Sequence, residues 1–177
     1  SCAQKDNSIV SPSEENYEII NVYKDVDVPW SIEFLDENTI MYAEKKGEIY
    51  IVKNNEAVKV ENVPEVYFRG QGGLLDLELH PDFKNNNLIY MSYASGSREQ
   101  GGGNTAIARA KFVNNKLNDV EVLYKGEENS TKGQHYGSRL QFDKDGFLFF
   151  TIGDRGNRDK NPQNLNLDGG KVYRIHD

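Results

Sequence analysis

The spacing of apolar and polar residues predicts a chain built from short β-strands. Apolar residues recur at every second position or in short unbroken runs, and rarely at the spacing of an amphipathic helix. Turn-forming residues, such as those at 36–38 and 45–47, separate the runs. We therefore predict an all-β fold. The predicted strands cover residues 17–23, 31–35, 39–43, 48–52, 73–79, 88–93, 105–113, 120–124, 138–142, 147–152 and 171–175.

A weak internal repeat groups these strands. Three stretches, beginning near residues 31, 74 and 138, each combine a strand, a turn and a more apolar strand. Spacings of roughly 45 to 65 residues suit four-stranded blades of an antiparallel β-propeller with loop insertions. We count about three blades, whereas a closed propeller has about four to eight. The chain is therefore expected to be a fragment, or a half that pairs with another half. The alternative is a small, self-contained β-sandwich.

An open propeller has a consequence for its two end blades. Each blade buries its faces by stacking on its neighbours, so three blades leave two sheet faces bare. The apolar strand at 147–152 contains Phe147, Phe149 and Phe150, and we expect these side chains to be at risk of exposure. Apolar sheet faces of that size favour association.

Composition limits the kinds of partner. The chain has 21 Lys and Arg against 28 Asp and Glu, a net charge of −7. That balance argues against nucleic acid as a partner, because nucleic-acid binding needs a basic surface. No apolar run approaches the roughly 18 residues that a membrane span needs.

The N-terminal residues predict a flexible tether and a lipid anchor. Cys2 is the only cysteine, so no disulfide can form within the chain. Residues 1–16 are polar and without period, which indicates a tether preceding a domain at 17–177. A small residue, a cysteine and a polar tether resemble the cleavage region of a bacterial lipoprotein. This predicts a lipid on Cys2 and export to the cell envelope or periplasm. The alternative is a cysteine without such a role.

Two polar residues stand at the ends of one predicted hairpin. His135 precedes the strand at 138–142, and Asp154 follows the strand at 147–152. Antiparallel pairing across the turn at 143–146 would bring the far ends of both strands together, and with them the imidazole and the carboxylate. A carboxylate can orient a histidine and raise its basicity, so the pair is a candidate catalytic base. The alternatives are an ordinary loop histidine and a turn-capping aspartate.

A glycine-rich segment at 69–73 is a second candidate site. Its glycines would let the backbone approach something flat or bulky, and Arg69 and Gln71 would supply hydrogen-bond donors. The segment lacks the Lys-Ser/Thr ending of a phosphate-binding loop, and the alternative is a plain connection between blades. Of the other histidines, His80 precedes a proline in a turn and is expected to be structural, and His176 carries no functional signal.

Several segments in order resemble the soluble glucose/sorbosone dehydrogenase family, which includes aldose sugar dehydrogenases dependent on pyrroloquinoline quinone (PQQ). The matching segments are PWSIEFL, RGQGGLLDLELHPDF, HYGSRL, FFTIGDRGN and GGKVYRI, and they cover the chain from Pro29 to its end. The resemblance implies a six-bladed antiparallel β-propeller, of which about three blades are present.

The resemblance also implies an activity and roles for the candidate residues. The family oxidises aldose sugars to lactones by transferring a hydride to PQQ, and the electrons pass on to an external acceptor. His135 would match the base, Asp154 the carboxylate that orients it, and Gln71 a residue lining the quinone and sugar site. Arg69 is expected to contribute to cofactor binding. Gln134 and Tyr136 beside the histidine favour the broader aldose branch over the glucose-oxidising one.

The same resemblance implies that part of the site lies elsewhere. The family's Ca²⁺ ligands, and most of the basic residues that bind the quinone carboxylates, fall in the second half of its members. We therefore expect this chain alone to bind quinone weakly and to turn over poorly. Two other functions stay open: a non-catalytic extracellular propeller that serves as a binding module, and a calcium-dependent lactone hydrolase, for which no cluster of carboxylates is present.

Overall fold

A computed structural model describes residues 18–176 as eleven strands and one short helix. All pairings between the strands are antiparallel. The elements are β1 (Pro29–Asp36), β2 (Thr39–Glu44), β3 (Glu48–Lys53), β4 (Glu56–Lys59), β5 (Leu74–Leu79), α1 (Phe83–Asn86), β6 (Leu88–Ser97), β7 (Gly102–Val113), β8 (Lys116–Lys125), β9 (Leu140–Phe142), β10 (Phe147–Ile152) and β11 (Lys171–His176).

The strands form three separate sheets in chain order. The first is β1-β2-β3-β4, the second β5-β6-β7-β8 and the third β9-β10-β11. Each sheet is a meander, because neighbouring strands in the sheet are neighbours in the chain. The prediction of an all-β chain with about three propeller blades is confirmed.

Two apolar layers hold the three sheets together. Met41, Ile49 and Leu77 belong to the layer between the first and second sheets. Tyr90 and Ile107 of the second sheet pack against the third sheet in the other layer. At about 25 cal/mol per Å² of apolar surface removed from water, such layers are the main stabilising term. They place β1, β5 and β9 side by side as the first strands of successive blades.

The expected exposure of the third sheet is only partly right. Phe150 is 1% exposed because it points into the layer with the second sheet, so the prediction for this residue was wrong. Phe147 and Phe149 lie on the opposite face and are half-buried. The Arg174 guanidinium lies 4.5 Å from the centre of the Phe147 ring and covers it. Exposed apolar side chains also lie on the first sheet, at Ile32 and Phe34, and on β11 of the third sheet, at Val172.

The prediction of a strand at 17–23 was wrong over residues 18–23, which have no regular structure. The backbone of this segment does not pair with a sheet edge. Ile20, Val22 and Tyr23 instead line a cavity of about 500 Å³ against the first sheet, together with Trp30 and Ile32. The alternation of apolar and polar residues at 18–23 therefore belongs to a segment that lies across the face of a sheet.

Other differences are small, and some predictions fall outside the described residues. The sequence prediction omitted β4, whose four residues carry too short a pattern. Cys2 and the tether at 1–16 lie outside the part of the chain that the structure describes. Within that part, no helix has both the length and the apolar character to cross a membrane.

Candidate active site

The β9–β10 hairpin forms as the sequence predicts. Phe142 pairs with Leu148 and Leu140 with Phe150, so the ends of the hairpin beyond Leu140 and Ile152 come together. The Ser138 N–H donates to the Thr151 carbonyl at 2.9 Å and continues the pairing outward. The loops at 132–137 and 153–156 therefore meet at one edge of the third blade.

His135 and Asp154 form a hydrogen bond across this meeting point. Nδ1 of His135 lies 2.7 Å from Oδ1 of Asp154. The histidine side chain is 49% exposed and the aspartate side chain 20%, so the pair faces solvent with the imidazole outermost. The structure thus brings together the two residues at the ends of the predicted hairpin, and their catalytic roles remain predictions.

The environment of Asp154 keeps its carboxylate ionised. The hydrogen bond from His135, together with the Gly156 N–H at 2.7 Å from Oδ1, lowers the pKa of Asp154 below its usual value. An ionised carboxylate can only accept hydrogen bonds, so Nδ1 of His135 carries the hydrogen. In the neutral imidazole, Nε2 then presents its lone pair on the other side of the ring. A neutral imidazole held in this tautomer is a proton acceptor.

The backbone of His135 adopts a conformation that non-glycine residues rarely take. Its φ is +54°, in the left-handed region. Gln71 accepts the His135 N–H through Oε1 at 2.7 Å, and the Arg155 N–H lies 3.3 Å from the His135 carbonyl. Left-handed residues cost free energy and persist only where the surroundings hold them. Gln71 therefore helps to hold His135 in this conformation.

The glycine-rich segment approaches the protein itself and not an open surface. A Cβ at Gly70 would collide with the backbone of Gly133, and one at Gly73 with the backbone of Lys45. The Gln71 N–H donates to the Gly133 carbonyl at 2.7 Å. These contacts join the segment to the His135 loop, so the expectation of a flat ligand against these glycines is replaced by contact between two loops.

Arg69 also contacts the His135 loop. Its Nε donates to the Thr131 carbonyl at 3.1 Å, and the residue is exposed. That bond engages one of the nitrogens of the guanidinium group and leaves other donors at the surface. The structure therefore brings Gln71 and Arg69 to the loop that carries His135, while their roles in binding a cofactor remain predictions.

An open cavity of about 400 Å³ adjoins the histidine. Lys132 and Arg158 line it together with the catalytic candidates. Sequence reasoning missed both cations, because neither belongs to a pattern. The signal that could have identified them is a basic residue close to each candidate motif. Asp159 also lines the cavity, so the lining carries two cations together with the carboxylates of Asp154 and Asp159.

The described residues contain no candidate metal site, and the remaining two histidines lie away from the candidate pair. Within residues 18–176, no group of three or more His, Cys, Asp or Glu side chains is arranged to hold a metal ion. His80 lies away from the cavity, where its Nδ1 accepts the Asp82 N–H at 2.9 Å and its ring packs against Tyr90 and Phe142. His176 ends β11, at the far end of the third sheet from Asp154.

Comparison with known proteins places this architecture in a family. The family model described as Glucose / Sorbosone dehydrogenase matches residues 26–177. The aldose sugar dehydrogenase YliI of Escherichia coli is 30% identical over 172 residues, which cover 94% of this chain and 45% of that protein. Quinoprotein glucose dehydrogenase B of Acinetobacter calcoaceticus is 29% identical over 153 residues, which cover 80% and 32%. The chain thus spans less than half the length of these relatives.

Solved structures give the same picture. The soluble aldose sugar dehydrogenase of Escherichia coli in its apo-form superposes with a TM-score of 0.82 at 29% identity, over 88% of this chain and 46% of that one. The PQQ-bound aldose sugar dehydrogenase of Streptomyces coelicolor superposes with a TM-score of 0.77 at 22% identity, over 89% and 47%. The second likeness is evidence for the fold alone.

Proposed function

Since the chain belongs to the glucose/sorbosone dehydrogenase family, we propose that the whole protein oxidises an aldose sugar to its lactone with PQQ as cofactor. The observation that carries the proposal is the 2.7 Å hydrogen bond between His135 and Asp154 beside an open cavity. One relative is named as an aldose sugar dehydrogenase and another as a quinoprotein glucose dehydrogenase. Ca²⁺ ligands would lie in the part of the protein outside this chain.

The chain's own residues would prepare and accept a proton. Asp154 holds the Nδ1–H of His135, so Nε2 is free to take the proton of the anomeric hydroxyl as a hydride leaves the anomeric carbon. When bound, the quinone supplies the hydride acceptor. After the step the imidazolium is stabilised by the ionised Asp154, and the sugar has become a lactone. An external acceptor would then take up the electrons.

Binding would use the two loops that meet at His135. Gln71 lies against the His135 backbone, and Arg69 offers guanidinium donors at the surface. Lys132 and Arg158 line the cavity together with the carboxylates of Asp154 and Asp159, and the two cations would pair with the carboxylates of the quinone. These four residues come from this chain, and the remaining contacts to the cofactor would come from the rest of the protein.

The test is dye reduction by the full-length protein supplied with PQQ, Ca²⁺ and a set of aldoses. We expect activity with at least one aldose. His135→Ala should lower kcat by about 10²- to 10⁴-fold, the contribution of a positioned general base. His176→Asn is the matched control, because His176 lies at the opposite end of the third sheet and should leave kcat unchanged.

Two results would contradict the proposal. Absence of dye reduction with every aldose in the wild-type protein would remove the sugar oxidation. Wild-type turnover in His135→Ala would remove His135 as the base and leave the family assignment in place.

A lipid on Cys2, with a location at the cell envelope, is a separate proposal that mass spectrometry of the protein from its native membrane fraction would test.

A further inference from the structure

Arg155 is a buried arginine directly beside the candidate catalytic pair. It follows Asp154 in the chain, and it is 2% exposed. Burial lowers the pKa of its guanidinium group, so the protein spends free energy to keep this cation inside. An arginine whose only role is to fill space could be replaced by an apolar residue at lower cost. Filling space therefore does not explain why an arginine stands at this position.

The guanidinium group is bonded to backbone carbonyls and not to a carboxylate. Nη1 donates to the Gln134 carbonyl, and Nη2 donates to the Lys132 carbonyl at 3.1 Å. Both acceptors belong to the loop that carries His135. Nη2 also donates to the Gly103 carbonyl in the second blade at 2.8 Å. One side chain thus fixes the His135 loop from within and attaches it to the neighbouring blade.

The flat face of the same group extends the contact to the glycine-rich segment. The Arg155 guanidinium lies 3.5 Å from the centre of the Tyr136 ring. Tyr136 is 3% exposed, and its ring lies so close to Gly72 that a Cβ there would come within 2.7 Å. Thr105 of β7 donates to the Tyr136 carbonyl at 2.6 Å. The stack of Arg155, Tyr136 and Gly72 therefore joins the three loops that carry Asp154, His135 and Gln71.

The backbone of Arg155 completes the arrangement. Its N–H lies 3.3 Å from the carbonyl of His135, and its own φ of +54° is in the left-handed region. His135 is thus held at its N–H by Gln71 and at its carbonyl by Arg155. The Arg155 side chain also contacts the two residues next to His135. It donates to the Gln134 carbonyl and lies against the Tyr136 ring.

We propose that Arg155 is a positioning residue, which holds the His135 loop in the left-handed conformation that directs the imidazole toward the cavity. Arg155 does not touch the reacting atoms in this role. Its kinetic consequence rests on the proposed function, whereas its effect on the loop does not. Misplacing a catalytic group by about 1 Å costs on the order of 100-fold in rate.

The first measurement is hydrogen–deuterium exchange of the full-length protein without cofactor. Arg155→Met removes the bonds to the three carbonyls, and we expect amides within 130–137 to exchange at least about tenfold faster than in the wild type. Arg109→Met is the matched control. It removes a half-buried arginine whose Nη2 bonds Glu121 at 2.8 Å in the second blade, so it should leave exchange at 130–137 unchanged.

The second measurement is steady-state kinetics on the same variants. We expect Arg155→Met to lower kcat by about 10- to 100-fold with less than a threefold change in the sugar KM, since orientation and not binding is lost. Arg155→Lys keeps the charge but cannot reach all three carbonyls, so its kcat and exchange should lie between those of Met and the wild type. This variant also serves if Arg155→Met fails to fold.

The outcomes separate the two proposals. Wild-type exchange at 130–137 in Arg155→Met, or in Arg155→Lys if only that variant folds, would overturn the positioning role whether or not the protein oxidises sugars. A fall in stability with unchanged kcat would also overturn it, because it would show a merely structural arginine. If the wild-type protein oxidises no aldose, the proposed function fails, and the exchange experiment still decides the role of Arg155.

Discussion

Two aspartates in this protein have similar partners and opposite pKa shifts. Asp154 accepts His135 Nδ1 and the Gly156 N–H, and Asp76 accepts Arg139 Nη1 at 2.9 Å and the Leu140 N–H at 2.8 Å. The hydrogen bond from His135 lowers the pKa of Asp154, whereas burial raises the pKa of Asp76 despite the hydrogen bonds that it accepts. Burial, more than the number of hydrogen bonds, decides the sign.

The positions of the two residues explain the difference. Asp76 lies on β5 with a side chain that is 3% exposed, and it accepts an N–H on the side of β9 that has no neighbouring strand. Glu78 stands near the Phe142 N–H, two residues further on, at 3.4 Å. These carboxylates close the edge of the third blade against the second. Asp154 instead lies in a loop beside an open cavity, where a proton acceptor can meet a ligand.

The largest expected effect is on stability and comes from Asp76→Ala. The change leaves the buried Leu140 N–H without its acceptor and Arg139 without its ion pair. We expect a loss of roughly 2 to 3 kcal/mol in the free energy of unfolding, given the usual value of hydrogen bonds to charged groups. Urea denaturation of the full-length protein at pH 7 measures it.

Asp76→Asn is the matched control for this comparison. It keeps an oxygen that can accept the Leu140 N–H and removes the charge, so it should lose less stability than Asp76→Ala. An Asp76→Ala protein as stable as the wild type would contradict the structural role. An Asp76→Ala protein with normal stability and a large loss of kcat would instead indicate a catalytic role for Asp76.

For Asp154→Asn we expect a smaller effect, and we expect it on kcat more than on stability. The imidazole loses the carboxylate that fixes its tautomer, so kcat should fall by roughly 10- to 100-fold, less than the loss of the base itself. Unfolding at pH 7 should change by about 1 kcal/mol or less, because the pair is partly exposed. Steady-state kinetics and urea denaturation of the same preparation measure both quantities. Equal kcat in variant and wild type would exclude an orienting role.

The sequence could predict one of these sites and not the other, because of the distance along the chain. His135 and Asp154 are 19 residues apart and belong to one hairpin, so local alternation and a turn predicted their contact. Asp76 and Leu140 are 64 residues apart, and their contact depends on how one blade stacks on the next. Alternation predicts which residues share a face of a strand, but not which blade that face meets.

Arg155 illustrates the same limit at the candidate site. Its bond to Gly103 spans 52 residues and two blades, and a charged residue in a polar loop reads as exposed. The glycines at 70, 72 and 73 stand out in the sequence, but the groups that they approach do not, because these groups come from the loop at 133–136 and from Lys45. Positions of special backbone geometry can be read from a sequence, and their partners require the packed structure.

The smallest expected effect concerns Glu33, which faces the Asp76 group from β1. Burial, followed by the charges of Glu78 and Asp76, raises the pKa of Glu33 from 4.5 to about 7, while Arg139 opposes the shift. A carboxyl whose pKa is raised by folding favours the folded state below its unfolded pKa, and this stability is lost as the pH rises through about 7. The wild-type protein should therefore lose stability between pH 5 and pH 8 relative to Glu33→Gln. Urea midpoints of both proteins at several pH values measure the difference, with the exposed Glu37→Gln as control. Parallel curves for wild type and Glu33→Gln would mean that Glu33 is solvated and that the carboxylates of β1 and β5 do not interact.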